Sequence, residues 1–129
     1  MSDASLSPSD AIKILGQTIS IEGVKIVPAY VAQDLANVRR ARTNDADFAA
    51  AVLAIAKEIR SAQAAPAQFG APVEHELEGW RRSKFSSKAA GTADLRLVFR
   101  PAKPTGIEIL AFGDRDFPET VYYTAKNRL

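Results

Sequence analysis

The feature that most constrains the fold is a change in the spacing of apolar residues at the loop over residues 66–72. Before the loop, apolar residues recur every three or four positions, which predicts one buried face of a helix. They are Phe48, Val52, Ile55 and Ile59. After the loop they recur at every second position, which predicts a strand with one buried face. They are Leu95, Leu97 and Phe99. Helices followed by strands predict a two-layer α+β fold, a small antiparallel sheet with two helices packed on one face.

Local signals place the other elements. Ser7 and Pro8 predict the start of a short, peripheral helix over residues 8–15. We expect the first strand over residues 24–27, helices over 29–42 and 44–65, and strands over 94–100 and 107–112. Asn44 is the predicted cap of the helix over 44–65. A short helix or an extended tail closes the chain over residues 120–128. At 129 residues the chain has the usual size of one domain, which we assign to residues 23–129, with residues 1–22 as an N-terminal extension.

Composition narrows the class of protein. The chain has no cysteine, which excludes disulfides and thiolate metal sites and fits a reducing compartment. Its first residues are polar and lack the order of a signal peptide, and no apolar run approaches the ~20 residues of a membrane span. We therefore expect a cytoplasmic protein that does not associate with membranes.

Charge is distributed unevenly along the chain. Residues 1–78 carry 7 lysines and arginines against 10 acidic residues, whereas residues 79–129 carry 10 against 5. A clustered positive field attracts polyanions, nucleic acid first. A solvated basic face balanced by an acidic one explains the same numbers about as well.

The basic half contains a pattern suited to phosphate chemistry. Arg96 lies on one predicted strand, Arg115 follows the next, and Tyr122 comes near the end of the chain. Guanidinium groups bind phosphate oxygens bidentately, and a phenol can exchange a proton. Further cations are candidates for RNA binding: Arg100 on the same predicted strand as Arg96, and Arg81, Arg82 and Lys84 on a third strand-like run over residues 79–85.

Structural explanations compete for each candidate. Arg96 could be an exposed sheet residue or the ion-pair partner of a neighbouring acid, and Arg115 has Asp116 beside it. Tyr122 and Tyr123 are adjacent and must point in different directions, so one of them could simply pack.

The order of these motifs resembles the RelE/ParE superfamily of toxins from type II toxin-antitoxin systems. The resemblance spans about residues 24–129 and rests on three segments: Asp94 to Phe99, Ile109 to Arg115, and Val121-Tyr122. It implies that Arg96 and Arg115 bind phosphate and that Tyr122 is catalytic. It places the cluster of Arg81, Arg82 and Lys84 where the RelE branch carries basic residues.

The RelE branch cuts messenger RNA, usually on the ribosome, without a metal or other cofactor. The resemblance implies attack by a ribose 2′-hydroxyl on the adjacent phosphate. It also implies a cognate antitoxin as partner, with DNA contacted only through the toxin-antitoxin complex. Two alternatives stay open: a ParE-like toxin directed at DNA gyrase, and a non-catalytic RNA-binding domain.

Overall fold

The structure, a computed structural model, describes residues 6–88, 91–116 and 120–129. It contains four helices and five strands in these ranges. The helices are α1 (Pro8–Ile19), α2 (Pro28–Ala41), α3 (Asp45–Ala64) and α4 (Val121–Lys126). The strands are β1 (Val24–Ile26), β2 (Ala71–Pro72), β3 (Arg81–Phe85), β4 (Leu95–Pro101) and β5 (Ile107–Asp114). A 3₁₀ turn, His75–Leu77, separates β2 from β3. The fold is therefore α+β. None of the described helices is long and apolar enough to cross a membrane.

The helix starts follow the predicted capping. Ser7 Oγ accepts a hydrogen bond from the Asp10 N–H at 3.1 Å, and Asn44 Oδ1 accepts one from the Asp47 N–H at 3.0 Å. Each bond satisfies a backbone donor that a helix leaves free in its first turn. The predicted positions of α2 and α3 are confirmed to within a few residues.

The five strands form one mixed sheet in the order β1-β5-β4-β3-β2. The expectation of an antiparallel sheet is wrong at one edge, because β1 pairs in parallel with β5. Parallel strands need a long crossover connection, and the two helices and three strands between β1 and β5 supply it. Leu110 on β5 has no partner on β4, which makes a bulge where Val98 gives way to Phe99.

One face of the sheet carries the main core. Leu95, Leu97 and Phe99 pack there against the predicted apolar stripe of α3, and all of these residues are buried. α3 packs chiefly against α1, whereas α2 lies along β5. The expectation of a peripheral first helix is wrong, since Ala11 and Leu15 of α1 are buried in this core. Their spacing of four places both on one helix face.

The opposite face of the sheet carries a second, smaller core. Val98 is the residue of β4 that anchors it, and α4 contributes Val121 and Ala125. The other buried members of this cluster are Leu77 and Trp80, from the segment before β3, and Leu110 and Ala111 of β5. The expectation that helices cover one face alone is therefore wrong. Because side chains alternate along a strand, Arg96 and Arg100 lie on the same side as Val98, beside α4.

Candidate functional site

A cavity of about 440 Å³ lies on the α4 face of the sheet, near the first turn of α4. Its lining comes from the ends of β2, β3, β4 and β5 and from the start of α4. The lining residues are Val73, Arg82, Lys84, Arg96, Arg115, Asp116, Thr120 and Tyr122. Five of the seven residues singled out from the sequence thus line one cavity, although they span 41 positions of the chain, from Arg82 to Tyr122. We call it the cationic cavity.

Arg96 is the most buried cation of this cavity. Arg96 is 5% exposed, and its Nη1 donates to the Ala93 carbonyl at 2.6 Å and to the Leu95 carbonyl at 2.9 Å. Its Nε is buried and has no hydrogen-bond partner among the described residues. Arginine stays charged at any physiological pH, and an unsatisfied buried charged donor is costly. Arg96 is therefore a buried positive charge with an unused donor. The two structural explanations considered from the sequence, an exposed sheet residue and an ion-pair partner, do not describe it.

Tyr122 supplies the second unpartnered group. Its hydroxyl is buried without a hydrogen-bond partner in the described part of the chain. Thr120 Oγ1 accepts from the Tyr123 N–H at 3.1 Å, which fixes the start of α4 and thereby the direction of its side chains. Tyr123 is 53% exposed and does not line the cationic cavity. The structure thus distinguishes the two adjacent tyrosines, and Tyr122 is the one beside the arginines.

Arg115 lies at the rim. Its Nε donates to Asp116 Oδ2 at 2.9 Å, so the local ion pair considered from the sequence does form. Both side chains are more than half exposed, at 58% and 68%, and exposed pairs of this kind contribute ~0–1 kcal/mol. The pair is easily exchanged, and the Arg115 guanidinium remains available to an anion in the cavity.

Arg82 and Lys84 reach the cavity because successive side chains of β3 point to opposite faces of the sheet. Ser83 between them faces α3, where its hydroxyl donates to Glu58 Oε2. Burial raises the pKa of the Glu58 carboxyl, an effect that the Ser83 hydrogen bond offsets only in part. Lys84 lies opposite Arg96 in the strand register. Neither Arg82 nor Lys84 forms an ion pair with any described residue.

The remaining two candidates lie elsewhere. Arg81 donates to the carbonyls of Phe69 at 2.8 Å and Gly70 at 3.1 Å, so it holds the loop before β2 against β3. Arg100 stacks over the Trp80 ring, 4.2 Å from its centroid, and pairs with Glu108 at 2.8 Å. Neither residue lines the cationic cavity.

The structure adds a supporting cluster that the sequence did not reveal. Arg42, at the end of α2, donates to both oxygens of Asp114 at 2.6 and 2.7 Å and to Asp94 Oδ2 at 2.7 Å. These acids stand at facing ends of β4 and β5, one or two residues from Arg96 and Arg115. The facing positions of two acids at adjacent strand ends are the signal that could have indicated a shared cation.

The pKa values of these two acids respond to their surroundings in opposite directions. Burial raises the pKa of Asp114, and Arg42 offsets the effect only in part. For Asp94 burial acts in the same direction, but hydrogen bonds from Ser87 and Arg42 outweigh it and hold the pKa below its ordinary value. Asp94 therefore stays ionised and, together with Arg42, holds the strand ends that present the cavity arginines.

The cationic cavity can bind an anion and exchange a proton. Four cationic side chains converge with one phenol on its lining. Within the described ranges, no cluster of three or more His, Cys, Asp or Glu residues has the arrangement of a metal site.

Comparison of the chain with protein-family models, curated proteins and solved structures finds no match. The RelE/ParE resemblance therefore rests on the order and spacing of the sequence motifs.

Proposed function

We propose that this protein is the toxin of a type II toxin-antitoxin system and an endoribonuclease that cuts messenger RNA without a metal. The observation that carries the proposal is that Arg96 and Tyr122, each with a buried polar atom that has no partner among the described residues, line one cation-rich cavity. A phosphate placed there would accept a hydrogen bond from the guanidinium and lie beside the phenol.

The reaction requires three tasks. The ribose 2′-hydroxyl loses a proton as its oxygen bonds to phosphorus, the phosphorane gains negative charge, and the leaving 5′-oxygen gains a proton as its bond to phosphorus breaks. The products are a 2′,3′-cyclic phosphate and a 5′-hydroxyl. Arg96 and Arg115 stabilise the developing charge, and Tyr122 exchanges a proton with the reacting oxygens.

Arg82 and Lys84 hold the flanking phosphates, because they line the cavity without ion-pair partners among the described residues. Fixed donors act most strongly where water is excluded, and the burial of Arg96 provides this setting. The substrate we propose is a message in translation on the ribosome, in the cytoplasm. The partner we propose is an acidic antitoxin that folds over the basic half of the chain.

The deciding experiment is primer extension on cellular RNA after induction of the protein. We expect growth arrest and new 5′ ends within translated messages, and the purified protein should cut ribosome-bound message in the presence of EDTA. Intact transcripts together with inhibited supercoiling by gyrase would favour the ParE-like alternative. RNA that is bound and left uncut would favour the non-catalytic RNA-binding domain.

A further inference from the structure

A second cavity, of about 430 Å³, lies at the other end of α4 from the cationic cavity. Besides five aliphatic residues, its lining includes two aromatic rings, three cations and one acid. The aromatic and charged residues are Lys25, Tyr30, Trp80, Arg100, Glu108 and Arg128. Its volume falls within the ~300–1,000 Å³ range of small-molecule sites.

Arg100 forms one wall of this cavity as a flat, oriented group. Its guanidinium lies over the Trp80 ring, 4.2 Å from the centroid, while Glu108 accepts from its Nε at 2.8 Å. Trp80 is 5% exposed, whereas the Arg100 side chain is 45% exposed. The indole thus covers one face of the guanidinium and leaves the other face open to a ligand. Stacking on one face and a hydrogen bond at the edge together fix the plane of the guanidinium.

A second stacked pair faces the same cavity. The Arg128 guanidinium lies over the Tyr30 ring, 4.1 Å from the centroid, and its side chain is 6% exposed. It also bonds to Asp34, Gln33 and the Leu110 carbonyl. These bonds use all four N–H donors of Nη1 and Nη2, so Arg128 acts as a rigid part of the wall.

The charge balance favours a planar ligand over a bare anion. Arg100 is paired with Glu108 and Arg128 with Asp34, so neither offers a free positive charge. Lys25 Nζ donates to the Lys103 carbonyl at 3.4 Å and is the one lining cation without an acidic partner among the described residues. A guanidinium with an open face binds the π-face of a nucleobase, and the Glu108 and Lys25 side chains can bond to a base edge.

The position of the cavity connects it with the proposed cleavage site. Arg96 and Arg100 lie on the same face of β4, four residues apart, which corresponds to ~13 Å at the rise of a strand. Nucleotides of a single strand splay their bases away from the backbone when a protein binds them. One strand can therefore place a phosphate by Arg96 and a nearby base on Arg100.

The geometry points to this second cavity as a nucleobase-binding subsite in which a base stacks on the open face of Arg100. The inference rests on the proposed function for its role in RNA cleavage, but base binding by the cavity is measured independently of cleavage.

The test uses adenosine and guanosine, which carry no phosphate, with inorganic phosphate as the competing anion. Trp80 is the only tryptophan of the chain and lies beneath Arg100, so its fluorescence reports binding. We expect a saturable change in Trp80 fluorescence that inorganic phosphate does not reverse. In ¹H–¹⁵N spectra of the wild-type protein, the shifts should concentrate at Trp80 and at residues 108–110. An absence of both signals, or displacement of the nucleoside by phosphate, would overturn the inference.

Arg100→Lys keeps the positive charge and removes the planar guanidinium. We expect about tenfold weaker nucleoside binding, since stacking on a planar group is the main contact. Arg60→Lys is the matched control, because Arg60 is exposed on α3, away from this cavity. Unchanged binding by Arg100→Lys would contradict the inference, and the spectra of the wild type decide the question if this variant does not fold.

Two further measurements separate the subsite from the proposed function. Nucleoside binding by a wild-type protein that does not cleave RNA would refute the nuclease and retain the subsite. If the wild type cleaves RNA, Tyr122→Phe should lose cleavage and keep nucleoside binding, because Tyr122 does not line the second cavity. Weaker binding of an RNA hexanucleotide by Arg100→Lys would identify the base as part of RNA. Hexanucleotide binding that stays unchanged while nucleoside binding weakens would identify a free nucleoside or nucleotide as the ligand of the same subsite.

Discussion

Arg128, just after α4, forms a buried ion pair with Asp34 of α2, with Nη2 and Oδ1 2.7 Å apart. The two side chains are 6% and 2% exposed. The pair also satisfies the edge of β5 that β1 leaves unpaired. Asp34 accepts from the Phe112 N–H at 3.0 Å, and Arg128 donates to the Leu110 carbonyl at 2.9 Å. The end of α4 is thereby joined to α2, and the start of α4 presents Tyr122 to the cationic cavity.

We predict that Arg128→Ala lowers the free energy of unfolding by about 3 kcal/mol, because it leaves the Asp34 carboxylate buried without its cation. Denaturant unfolding followed by circular dichroism measures the change. Lys126→Ala is the control on the same helix, since its pair with Glu76 is exposed, and its midpoint should match the wild type. Equal midpoints for Arg128→Ala and the wild type would show that the buried pair does not hold α4.

The proposed chemistry predicts that replacing Arg96 greatly lowers the rate of RNA cleavage. Arg96→Ala should lower the rate of RNA cleavage about 10²- to 10³-fold, the usual effect of removing one charge-stabilising donor. Single-turnover cleavage of a ribosome-bound message measures the rate. Arg60→Ala, an exposed substitution on α3, should cleave at the wild-type rate. Comparable rates for Arg96→Ala and Arg60→Ala would remove Arg96 from the mechanism.

The two tyrosines provide an internal comparison. Tyr122→Phe should slow cleavage about 100-fold or more through loss of the proton-exchanging group. Its melting temperature should not fall, because the buried hydroxyl makes no hydrogen bond to any described residue that the change could remove. Tyr123→Phe alters an exposed side chain and should retain activity. The opposite ranking of the two variants would place the catalytic phenol on Tyr123.

The cluster of Arg42, Asp94 and Asp114 predicts that the stability losses of single substitutions do not add. Arg42→Ala leaves Asp94 and Asp114 without their shared cation and should cost about 3 kcal/mol. Asp114→Asn removes the more buried acid of the pair, so the double variant should lose less than the sum of the single losses. A double-mutant cycle of unfolding free energies measures the coupling. Strict additivity would mean that the pair contributes no coupling energy.

The raised pKa of Glu58 predicts that the free energy of unfolding depends on pH. Burial raises its pKa in the folded state, so the folded protein holds this proton more tightly than the unfolded chain does. Stability from this group is greatest below the unfolded pKa and falls as pH rises through the folded value. Glu58→Gln keeps an acceptor for Ser83 without the charge. Its melting temperature should exceed that of the wild type at pH 7 and converge with it near pH 3. A lower melting temperature at pH 7 would contradict this account.

Part of the fold follows from local physics. The caps at Ser7 and Asn44 and the apolar spacings of α3 and β4 depend on neighbours within a few residues, so the sequence predicts them directly. The parallel edge strand and the second core do not follow in this way. Both depend on how distant segments meet, and periodicity indicates which face of an element is apolar but not which element will cover it.

For the candidate site, the sequence shows the chemistry of each residue but not which residues lie next to one another. The chemistry of arginine and tyrosine marked Arg96, Arg115 and Tyr122 from the sequence, and the same reasoning grouped Arg81 and Arg100 with them. Tertiary structure separated these last two, since Arg81 bonds to a loop and Arg100 stacks on Trp80. It also assigned Asp34, a polar residue on the apolar side of α2, to Arg128, which lies 94 residues away. The sequence alone thus determined the local elements and the available chemistry. The three-dimensional packing decided which charges are buried, paired or left unpartnered, because burial and pairing are properties of residues brought together from distant parts of the chain.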